Sequence, residues 1–94
     1  MSGIRVYTAG QQLDLLRRDG GMRQASYRLG GVLHHHMLAV EELAVERAMT
    51  QGVETYGDAA FHMPLEQLKL ETMEELADGV MYQRVYDLRS KGLI

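Results

Sequence analysis

A chain of 94 residues, 46% of them apolar, is long enough for one domain with a modest core. Its net charge of −3, with ten scattered Lys and Arg and no basic run, argues against a nucleic-acid surface. With no cysteine there is neither a disulfide framework nor a thiolate metal site, and no apolar run approaches a membrane span. No signal-peptide pattern opens the chain, so the expected setting is the cytoplasm, with no membrane partner.

In chain order, residues 1–7 read as an extended arm, because Ile4 to Tyr7 is β-prone but too short to found a sheet. Residues 8–31 read as short helices. Thr8 is the predicted cap of the first, with Leu13, Leu15 and Leu16 as its apolar side, and Asp19-Gly20-Gly21 stops it. Met22 to Leu29 can continue as helix. Gly30-Gly31 either breaks the chain again or sits inside a longer helix, at a cost of about 1 kcal/mol per glycine relative to alanine.

From Val32 to Tyr56 the period is plainly helical, with Leu33, Met37, Val40, Ala44 and Ala48 on one stripe and Leu38, Leu43 and Val45 widening it. Gly57 is the expected stop. A second long helix is predicted over 64–91. Pro64 suits a helix start, Gly92 suits its end, and Leu68, Met73, Leu76, Val80, Arg84 and Leu88 follow one face. The expected fold is therefore all-α: one domain built on an antiparallel hairpin of helices 32–56 and 64–91, plus short N-terminal helices. Two such helices cannot cover each other's apolar faces, so a homodimer is expected to complete the bundle.

The hairpin gives the acids a register. Glu46 lies ten residues before Tyr56 and Glu75 eleven after Pro64, which puts both about 15 Å from the turn. Glu42 and Asp78 are level one turn further out, so four carboxylates can converge if the faces meet. Acids on helices are usually solvated surface residues, often with Lys or Arg three or four positions away. Glu42, Glu46, Glu75 and Asp78 have no such neighbour, and Glu42/Glu46 and Glu74/Asp78 are like-charged pairs at that spacing. A divalent cation could supply the missing counter-charge, and carboxylates alone select Mg²⁺ or Mn²⁺. The run His34-His35-His36 diverges around a helix and cannot chelate from it.

At Glu74-Glu75-Leu76-Ala77-Asp78, following Glu41-Glu42-Leu43-Ala44-Val45-Glu46, the chain resembles the all-α nucleoside triphosphate pyrophosphohydrolases of the MazG-like family, including small phage-encoded proteins grouped with them. The resemblance covers roughly residues 33 to 90. Glu75 and Asp78 match the family's ExxD element, while Glu42 and Glu46 are spaced four apart where the family has three. It implies a helical bundle completed by dimerisation, with Mg²⁺ or Mn²⁺ on the four acids and a nucleoside triphosphate as substrate. Arg84 or Lys69 would then neutralise the leaving pyrophosphate. The competing expectation is a helical protein–protein interaction module, in which the Met- and Leu-rich helices pair with themselves or with a partner helix.

Overall fold

The computed structural model describes residues 6–94; most of the expected arm over 1–7 lies outside them. Among the described residues the fold is all-α, with no strand. Helices α1 (Ala9–Arg17), α2 (Gly21–His35), α3 (Met37–Arg47), α4 (Val53–Tyr56), α5 (Ala59–His62) and α6 (Leu65–Ser90) follow in order.

Local chemistry explains most of the boundaries. The Thr8 hydroxyl accepts from the Gln11 amide at 3.2 Å, and Gln11 Oε1 accepts from the Thr8 amide at 2.9 Å. This reciprocal capping box satisfies two of the donors that a helix start leaves open. The turn after α1 needs two left-handed residues in succession, Asp19 (φ 54°) and Gly20 (φ 68°). Aspartate tolerates that region better than most residues, and glycine occupies it without steric cost. α6 closes with the Leu93 amide donating to the Leu88 carbonyl at 2.9 Å, around Gly92 at φ 69°.

Two features depart from the expected helix 32–56. The regular helix begins at Gly21 and runs straight through Gly30-Gly31, then kinks at His36 (φ −113°, ψ 24°) before α3. Near its other end, Ala48–Gly52 widens into a π-helical turn, where Thr50 Oγ1 donates to the Glu46 carbonyl at 2.8 Å. Residues 37–56 are therefore one nearly continuous helical arm, formed by α3, the π turn and α4.

Tertiary packing sits at one end of the molecule. The extensive helix–helix contact is α2 on α6, with α1 laid across both. Ala25 and Leu88 are its buried apolar residues, joined by Gln83, Arg84 and Asp87. Small residues let α2 come close, for Leu29 Cδ2 reaches to 3.3 Å of where a Cβ on Gly79 would stand. The arm instead makes most of its contacts within itself and with α2, which precedes it in the chain. Of the residues expected in a 32–56/64–91 core, Leu68 and Val80 are half-buried, whereas Leu38, Val40, Leu43 and Leu76 are exposed. The reason is a change of partner: α2, not the arm, covers α6, and it covers only the C-terminal half.

The shape records this. The Cα radius of gyration is 16.6 Å, against about 12 Å for a compact chain of this length. The accessible surface is 8217 Å² for a mass of 10.6 kDa. A folded monomer of that mass exposes about 5,500 Å².

Candidate functional site

The packed end is held by a polar junction. Arg84 is buried on α6 and its guanidinium donates to three main-chain carbonyls at the end of α1: Leu15 at 3.0 Å, Leu16 at 3.2 Å and Arg18 at 3.2 Å. The last carbonyls of a helix have no partners of their own and carry partial negative charge, so a cation there both bonds and neutralises. One turn along α6, the buried Asp87 accepts from Arg28 Nε of α2 at 2.7 Å and from Gln83 Nε2 at 3.1 Å. No buried side-chain polar atom among the described residues lacks a partner. Arg84, the expected phosphate ligand, is thus committed to joining α1 to α6.

The other expected site residues lie elsewhere. Glu42 and Glu46 are on α3, and Lys69, Glu75 and Asp78 are on the N-terminal half of α6; all five are exposed. None of the four acids forms an ion pair with a described residue. Among the described residues no three His, Asp or Glu side chains are grouped as a metal site. His34 and His35 meet edge to face with ring centroids 5.9 Å apart, beside the kink at His36.

What the structure does bring together is an uncovered apolar surface with acids around it. On α3, Leu38 and Val45 are two turns apart on one face, and with Glu41 and Glu42 they line a shallow depression. Leu38 is 76% exposed, Val45 60%, and Met49, a turn further on, 65%. Such values are high for three large apolar side chains in succession on one face. On α6 the face that buries Arg84 and Asp87 continues toward the N-terminus as Met73 and Leu76, beyond the reach of α2 and exposed.

Charge divides along the same boundary. Residues 37–78 hold ten acids and two bases, Arg47 and Lys69, for a net of −8. The rest of the chain holds three acids and eight bases, a net of +5. That asymmetry is legible in the sequence, but overall charge conceals it. The exposure of Leu38 and Val45 is not legible in the same way, because their helical period predicts burial equally well.

The fold defines an all-α protein with a basic, packed base and an acidic, uncovered helical extension. Comparison of the chain with protein-family models, curated proteins and solved structures finds no match. No helix among the described residues is long and apolar enough to cross a membrane.

Proposed function

We propose that this protein is a helical protein–protein interaction module whose docking surface is the arm 37–56 together with the N-terminal half of α6. The observation that carries the reading is the exposure of Leu38, Val45 and Met49 along one face of the arm, a face that the other described residues leave open to solvent. Apolar helix faces of this kind lose water favourably against another helix, and methionine adapts to the partner's shape. A cytoplasmic setting belongs to the same reading, supported by the cysteine-free composition.

In-cell photo-crosslinking tests it. A photoreactive residue replacing Val45 should capture a protein, and one replacing the exposed Arg23 on α2 should not. Absence of any crosslink at position 45 overturns the reading.

A second reading, a Mg²⁺- or Mn²⁺-dependent nucleoside triphosphate pyrophosphohydrolase, draws support from Glu42, Glu46, Glu75 and Asp78, four exposed acids without an ion-pair partner among the described residues. Calorimetric titration with either cation, with and without a non-hydrolysable nucleotide, distinguishes it. Cation binding lost in Glu75→Gln supports the enzyme, and no heat in wild type removes it.

A further inference from the structure

We infer that the occupant of this surface is a cationic amphipathic helix of a partner protein. The inference rests on the interaction-module reading and adds the chemistry of the partner.

The accessible surface of 8217 Å² exceeds that of a compact monomer by roughly 2,700 Å². Stable protein–protein interfaces remove about 800 Å² from each partner, so a chain this extended has surface to spare for a full-sized interface. A single helix laid along α3 is enough to cover Leu38, Val45 and Met49.

Charge then selects the occupant. The depression on α3 pairs Leu38 and Val45 with Glu41 and Glu42, so an apolar side chain entering it brings its neighbours against carboxylates. Lysine or arginine flanking an apolar stripe satisfies both demands, because their stems cover apolar surface while their charged ends reach the acids. A second copy docked through the same surface would set one net charge of −8 against another. Like charges juxtaposed across an interface are costly, whereas opposite charges speed encounter and fix register. The two bases of the region, Arg47 and Lys69, are too few to reverse that balance.

Calorimetry on the full chain tests the inference with a blocked 18-residue Leu/Lys peptide patterned as an amphipathic helix, a scrambled peptide of identical composition, and a Leu/Glu counterpart. The patterned cationic peptide should bind one to one, at least tenfold more tightly than the scrambled one, and the Leu/Glu peptide should not bind. Raising salt from 50 mM to 500 mM should weaken the patterned peptide tenfold or more. The triple substitution E41Q/E42Q/E46Q should weaken it at least tenfold, and so should the separate pair L38S/V45S. All five positions are exposed, and circular dichroism checks that each variant remains folded. Equal binding of the patterned and scrambled peptides overturns the inference, because charge alone would account for it. A tight dimer in sedimentation that the cationic peptide does not dissociate also overturns it, while leaving the interaction-module reading intact with a second copy as partner.

Discussion

Gly21 lies directly beneath the guanidinium of Arg84, so a Cβ added there would stand 2.1 Å from Arg84 Cζ. An unrestrained arginine would swing away at little cost. This one is buried and bonded to three carbonyls of the α1–α2 junction, so moving it dismantles the junction. Gly21→Ala should therefore destabilise the protein by about 1–2 kcal/mol, even though alanine is the better helix former. Arg84→Met should cost about 1–3 kcal/mol by leaving the α1 carbonyls without their donor. In the double variant the collision no longer exists, so the two costs should sum to more than the observed loss. Urea unfolding of the four proteins checks the cycle, and strict additivity refutes the contact.

Asp87 and Arg28 form a pair of unequal burial, with side chains 3% and 51% exposed. Removing the buried member strands Gln83 and Arg28 together, and Asp87→Ala should cost about 2–3 kcal/mol. Removing the half-exposed member leaves Asp87 bonded to Gln83 and opens a path for solvent to its carboxylate, so Arg28→Ala should cost about 1 kcal/mol, after allowing for solvent screening. Equal costs in chemical denaturation contradict the assigned burial.

Leu88 and Leu76 lie on the same helix and read alike in sequence. The first is 3% exposed and the second 54%. Leu88→Ala should cost about 2–5 kcal/mol as a buried truncation, and Leu76→Ala less than about 1 kcal/mol in the isolated chain. Thermal melts in the absence of any partner give the comparison, and a large effect at Leu76 means that another surface covers it.

The contrast shows what the sequence discloses and what it withholds. Thr8, Asp19-Gly20 and Gly92 act on their immediate neighbours, so the capping box, the left-handed turn and the end of α6 can be read from a few residues each. Arg84 falls on the apolar stripe by period, and it is buried. Its partners, however, are carbonyls 66 to 69 residues away, which periodicity does not report. The choice between α2 and the arm as the partner of α6 was hidden for the same reason, since both carry apolar stripes. The available signal was Gly21 and Ala25, small residues one turn apart that allow close approach. The exposed acids were legible as a cluster of like charge; their relation to the apolar face of α3 needed the structure.

Gly30 and Gly31 test the cost of helix built without side chains. Both lie in α2, and a Cβ at either meets nothing within 4 Å. Gly31→Ala should raise stability by about 0.5–1 kcal/mol, seen as a higher melting temperature. A decrease means that something packs against that side of α2.

The partial cover on α6 implies that one unbroken helix has two lifetimes. Amide hydrogens from about residue 80 to 88 are held by the junction with α1 and α2 and exchange only when the packed end opens. Those from about 69 to 78 lie on the exposed stretch beyond the reach of α2 and need only local fraying, a far cheaper excursion. Exchange along α6 should therefore fall in a step near Gly79 rather than a gradient, and a bound partner should erase the step.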